Sequence, residues 1–139
     1  MKGKKIGDRW VLRLDKGDEI IESLTNFLEN NNIKTGYLTG IGATNNIEIG
    51  LFAAENKKFV TKKFKGDYEI ISLMGNISMQ MNKIKLHIHI TIADKELRAF
   101  GGHLYSAKIS AVCEIFIKEI PEELNRKEDS MTGLYLFDL

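Results

Sequence analysis

Leu86-His87-Ile88-His89-Ile90-Thr91-Ile92 alternates apolar and polar side chains without a break. That is the period of a β-strand with one face against a core. Leu86, Ile88, Ile90 and Ile92 share one face, and His87, His89 and Thr91 share the other. The pattern predicts a sheet with one buried face and one face free for chemistry. Histidines one pleat apart have Cα atoms roughly 6.6 Å apart, at about 3.3 Å per residue. Their rings can lean onto one ion at Zn–N distances of about 2.0–2.1 Å. The remaining histidine, His103, follows Gly101-Gly102. It would complete a three-histidine site with an open position, the catalytic rather than the closed structural type. Zinc or another divalent transition metal is therefore the expected cofactor. Two plainer readings fit the same residues: a solvated strand face followed by a turn histidine, or a histidine satisfied within the core.

Outward from this strand the chain keeps the period of two. Arg9–Leu14, Thr35–Ile41, Ile47–Ala53, Lys58–Phe64, Tyr68–Met74 and Lys108–Ile117 read as strands, with Ile77–Met81 extending the fifth past a bulge. Gly66-Asp67 and Asp94-Lys95-Glu96 read as turns, and Gly133–Leu139 as a short closing strand. One segment has helical spacing: Ile20, Ile21, Leu24, Phe27 and Leu28 form one face. Asp18 is placed to cap it, and Asn30-Asn31-Asn32 to end it. Pro121-Glu122-Glu123-Leu124 has the chemistry of a helical turn. One main helix and seven or more strands predict an α+β domain, the helix packed on a largely antiparallel or mixed sheet.

The length, 139 residues, suits a single domain. Twenty basic and 19 acidic residues leave a formal charge of +1, too little to gather nucleic acid or anionic membrane at long range. The single cysteine, Cys113, excludes an intramolecular disulfide. Its apolar surroundings predict an inert buried thiol. No apolar run reaches the ~18 residues of a membrane span. The basic start, Met1 to Lys5, lacks the apolar region of a secretion signal, so the expectation is a cytoplasmic protein. The lysines of 57–65 read as a guarded edge strand. Gly40-Ile41-Gly42 lacks the following helix of a phosphate loop.

Three charged residues interrupt apolar strands: Glu69, Glu114 and Arg13. A carboxylate buried among apolar neighbours must be paired or metal-bound, and burial raises its pKa toward the range of a general acid or base. Glu69, Glu114 and Arg13 are therefore candidate catalytic residues. Their plain alternative is an exposed sheet face or a structural ion pair.

The ordered series Arg13-Leu14, Gly17-Asp18-Glu19, Gly40-Ile41-Gly42-Ala43, Gly66-Asp67-Tyr68-Glu69 through Gly75-Asn76, Leu86-His87-Ile88-His89, Gly101-Gly102-His103-Leu104 and Glu114 resembles the PPC domain of plants and prokaryotes. The likeness runs from about Arg9 to Leu136, within a single domain of residues 1–139. It implies a homotrimer. It also implies a stand-alone prokaryotic member of a group described as predicted DNA-binding proteins. The Arg-Gly-Arg core of the AT-hook, which accompanies the domain in plants, is missing here. Some members are similar in architecture to acetolactate decarboxylase, a metal enzyme with a His-x-His strand and a later third histidine. Two expectations follow. One is a trimeric, DNA-associated or regulatory binding module with a metal at His87, His89 and His103. The other is a metal-dependent lyase or decarboxylase-like enzyme for a small oxo- or hydroxy-acid, Arg13 holding the substrate and Glu69 or Glu114 moving a proton.

Overall fold

Alternation carried over unusually long runs builds three strands of 18, 23 and 21 residues: β3 (Gly36–Ala53), β4 (Lys58–Gln80) and β6 (Ala99–Glu119). The computed structural model describes residues 1–55 and 57–139. Its other elements are β1 (Lys2–Ile6), β2 (Arg9–Asp15), α1 (Ile20–Asn30), β5 (Lys83–Ala93), β7 (Arg126–Glu128) and β8 (Tyr135–Phe137). The main sheet has the order β1-β2-β6-β3-β4-β5, every pairing within it antiparallel. β5 also pairs with the first residues of β6, from Ala93↔Ala99 to His89↔His103. Strands β6, β3, β4 and β5 thus form a closed ring, and β2 and β1 continue the sheet from the second half of β6. β7 and β8 make a separate two-stranded hairpin. Among the described residues the architecture is mostly antiparallel sheet with one short helix, within the expected α+β class but with a smaller helical share.

Bulges make the closure possible. Between Thr44↔Tyr68 and Asn46↔Lys65, β4 carries one more residue than β3; another extra residue lies between Gly40↔Leu73 and Gly42↔Ile70. Each extra residue bends its strand and sharpens the twist. This corrects the expected turn at Gly66-Asp67. Gly66 absorbs the irregularity at φ +119° and the strand runs on. For the same reason the separate runs 35–41 and 47–53 are one strand. Pro121 and Glu122 form a bend rather than a helical turn. The chain there is tied to Thr35, whose Oγ1 accepts from the Leu124 N–H and whose carbonyl accepts from the Ile120 N–H.

The helix packs on β5 and β6. Its buried residues Ile20, Leu24, Phe27 and Leu28 belong to one hydrophobic core with Leu12, Leu14, Ile88, Ile90 and Ile115. Each such side chain contributes about 1.5–3 kcal/mol. Glu19, not Asp18, caps the helix: one carboxylate oxygen accepts from the Glu22 N–H at 2.7 Å, the other from the Ala107 N–H of β6 at 2.8 Å. Asp18 instead accepts from the Asp15 N–H and pairs with the terminal ammonium. Among the described residues no helix covers the opposite sheet face. Tyr37, Ile41, Ile71, Met74, Val112 and Phe116 lie on it, each between 37% and 60% exposed.

Candidate metal centre

The alternation of β5 does what the sequence predicts. Ile88, Ile90 and Ile92 are buried under the helix, while His87, His89 and Thr91 face away. His89 lies opposite Met74 of β4 on one side and His103 of β6 on the other. That rung is the last of the β5–β6 pairing. Beyond it the two strands part, and a pocket of about 560 Å³ opens. His103 also lies opposite Gly50 of β3. Glycine is required at this crossing: a Cβ on Gly102 would sit 2.6 Å from the Gly50 carbonyl oxygen.

The three imidazoles form a near-equilateral triangle, with centroids 5.1, 5.2 and 5.5 Å apart. One nitrogen from each lies within 4.8 Å of the others. Tetrahedral zinc with Zn–N of about 2.0–2.1 Å needs its nitrogens roughly 3.4 Å apart, a closure within reach of ring rotation. Burial, then the charges of His87 and His89, push His103 down to about 4. His87 is lowered as well, by burial first, then by His89, Arg126 and Lys85. Both are therefore neutral near pH 7, the form in which imidazole binds a metal. The donor set fits a divalent transition metal.

The pocket beside the triangle has two kinds of wall. Leu51, Phe52, Phe59 and Leu134 are apolar; Gln80, Lys85 and Arg126 are polar. Phe59 and Tyr105 flank His103, their ring centroids 6.0 and 5.1 Å from it. The C-terminal hairpin supplies one wall and is held by Arg126. The guanidinium donates from Nε to Ser78 Oγ (2.7 Å), from Nη2 to Asn76 Oδ1 (2.8 Å) and from Nη1 to the Tyr135 carbonyl (2.8 Å). It also stacks 4.4 Å over the Phe137 ring. Gln80 carries a buried amide oxygen with no donor among the described residues.

Glu69, Glu114 and Arg13 lie elsewhere. All three are exposed on the uncovered sheet face, so the expected burial among apolar neighbours is not what the fold provides. Arg13 stands opposite Glu114 across β2–β6, yet its Nε donates to Asp15 at 2.9 Å. Glu69 pairs with Ala93, four residues beyond His89 and thus roughly 13 Å along β5. None lines the histidine pocket. Sequence reasoning missed Arg126, Lys85 and Gln80. Lys85 had a signal, since it shares the alternating face of His87 and His89. Arg126 had none, because its place depends on the fold of the C-terminal hairpin.

The Plants and Prokaryotes Conserved (PCC) domain, which is the PPC domain named above, matches residues 1–121. A candidate DNA-binding protein from Bacteroides thetaiotaomicron is 31% identical, with a TM-score of 0.95 over 99% of this chain and 96% of that one. A metal-containing protein from Archaeoglobus fulgidus is 35% identical, with a TM-score of 0.88 over 96% and 94%. The bifunctional protein GlmU of Synechococcus is 25% identical over 127 residues; they are 89% of this chain, which spans only 19% of that protein. Acetolactate decarboxylase from Bacillus subtilis shares the fold alone, at 14% identity and a TM-score of 0.54 over 87% of this chain and 57% of that one. No helix among the described residues is long and apolar enough to cross a membrane.

Proposed function

Because the chain belongs to the Plants and Prokaryotes Conserved domain family, we propose that it is a homotrimeric binding module built around a divalent metal, zinc or a related ion, on His87, His89 and His103. One observation carries the reading: three imidazoles from two strands converge within 4.8 Å on the wall of an open pocket. The metal-containing relative supports it. The metal would supply a Lewis-acid centre in that pocket. Elemental analysis of untagged protein is expected to find about one metal per chain, lost in His103→Ala. An untagged wild type free of zinc, nickel, manganese and iron would refute the site.

The trimer is proposed from the uncovered face. Tyr37, Ile41, Ile71, Met74, Val112 and Phe116 form an apolar surface that the helix does not reach, the kind of patch that marks an interface. Light scattering should give three times the chain mass; a monomer would overturn it. DNA association is proposed from the likeness to the candidate DNA-binding relative. With a net charge of +1, any such binding rests on local lysines and weakens steeply with salt. Lack of duplex retardation at low salt would remove it.

The open pocket favours a second reading, a metal-dependent lyase or decarboxylase-like enzyme for a small oxo- or hydroxy-acid. Glu69, Glu114 and Arg13 would then serve a neighbouring subunit's pocket across the trimer face, because in their own chain they lie outside it. Metal-dependent turnover of such acids, abolished by His89→Ala, is the expected result; turnover that survives the substitution excludes the role.

A further inference from the structure

The charges around the pocket do not balance. Two cations, Lys85 and Arg126, line it beside the histidines, and among the described residues no aspartate or glutamate does. Neither cation enters an ion pair among the described residues. Arg126 is half-buried, and its three hydrogen-bond partners, Ser78, Asn76 and the Tyr135 carbonyl, are all neutral. A half-buried cation without a counter-charge is costly, and a divalent ion on the histidines adds to the excess. Fastening the hairpin explains the hydrogen bonds of Arg126 but not the unpaired charge.

We propose that this pocket takes a small organic acid, a carboxylate with an adjacent oxo or hydroxyl oxygen, and that Arg126 is its carboxylate anchor. The inference deepens both readings above: it rests on the metal for the ligand's second contact, and it gives Arg126 the carboxylate-holding role that the second reading leaves to Arg13 from a neighbouring subunit. Three bonds commit one N–H on each of Nε, Nη1 and Nη2. One N–H then remains on each terminal nitrogen, the number a carboxylate accepts from the guanidinium fork. The same fork pairs with phosphate as well, so it is the apolar wall of the pocket that favours an organic acid over a fully polar anion. The three bonds and the stacking on Phe137 hold the fork still before any ligand arrives, which lowers the entropic cost of capture. The wall of Leu51, Phe52, Phe59 and Leu134 suits a short apolar body. Nothing in the local sequence marks Arg126, Phe52 or Phe59 as site residues, and Arg126 and Leu134 lie beyond the family match at residue 121. Ligand choice would then rest partly on the tail rather than on the shared domain.

The test is isothermal titration calorimetry of zinc-loaded and EDTA-treated protein with pyruvate, oxalate and inorganic phosphate. Wild type, Arg126→Met, Arg126→Lys and Lys85→Gln are compared, each with its metal content measured. The expected result is carboxylate binding in wild type, weakened at least tenfold in Arg126→Met and Arg126→Lys at unchanged metal content, with phosphate the poorer ligand. If Arg126→Met fails to fold, Arg126→Lys keeps the charge and the stem while losing the fork, and becomes the deciding variant. Metal bound without carboxylate affinity, equal affinity in Arg126→Lys and wild type, or a preference for phosphate would each overturn the anchor. Arg126-dependent carboxylate binding in a protein that takes up no zinc on loading would support the anchor and refute the metal site.

Discussion

Gly102→Ala tests whether strand spacing at the ring closure sets the histidine geometry. A Cβ there would lie 2.6 Å from the Gly50 carbonyl oxygen, a backbone atom that cannot rotate away. Reaching a C···O contact of about 3.3 Å needs a shift of about 0.7 Å, borne by β3 and by the start of β6, one residue from His103. Overpacking of this kind costs about 1–3 kcal/mol. The φ of Gly102 is not positive, so alanine returns about 0.4–1 kcal/mol by restricting the unfolded chain. The net expectation is a loss of about 1–2 kcal/mol, or roughly 3–7 °C in Tm for a chain of this size. Displacing His103 should also weaken zinc binding at least tenfold, as loss of a ligand's support does elsewhere. The neighbouring Gly101 is the control. Its Cβ would meet the Ile90 carbonyl at 3.1 Å, so contact and entropy terms nearly cancel and Gly101→Ala stays within about 0.5 kcal/mol of wild type. Guanidinium denaturation and zinc titration read both variants. A Gly102→Ala protein with wild-type stability and zinc affinity would show that the spacing is not fixed by this glycine.

Other consequences are as direct. Glu19→Ala removes the helix cap and strands the buried Ala107 N–H; a loss of about 2–3 kcal/mol is expected by denaturation, and a loss below about 0.5 kcal/mol would show that water replaces both bonds. Burial pushes the Cys113 thiol up to about 12, so Ellman's reagent at pH 8 should label it only after unfolding; prompt labelling of native protein contradicts its burial. Asp8, Asp18, Asp94 and Asp129 sit below the usual carboxylate value of 3.8: Lys118 donates to Asp8, the terminal ammonium to Asp18, Arg98 to Asp94, and Thr132 to Asp129. Carboxyls lowered in the folded state stabilise it fully above their unfolded pKa, and lose that effect as pH falls through their folded values. Tm should therefore hold down to about pH 4 and drop below it; a Tm unchanged from pH 5 to pH 2 would oppose the pairing.

Local pattern carried much of the structure. The helix was legible because Ile20, Leu24, Phe27 and Leu28 repeat at its own period, and His87 and His89 because a strand leaves no choice of face. The lengths of β3 and β4 were not legible. Gly66-Asp67 has turn composition, and only the partner strand reveals that the extra residue is a bulge. β1 was missed because Lys2–Ile6 is exposed throughout and carries no hydrophobic rhythm; its pairing with β2 is what orders it. Glu69 and Glu114 misled for a related reason. An apolar neighbour in sequence signals burial only if that face is covered, and here apolar residues occupy both faces. Meeting of the three histidines needed the register His89↔His103, which no local window contains.

The double life of β6 has a practical outcome for anyone cutting this chain. Its first residues close the ring with β5, its later ones carry β2, and β3 runs beside most of its length. No backbone break within it leaves two fragments that each keep a complete sheet, so split-protein reporters divided there should not reassemble from folded halves. New termini belong at Gly7-Asp8 or Lys95-Glu96, exposed hairpin tips where the ladder has already ended.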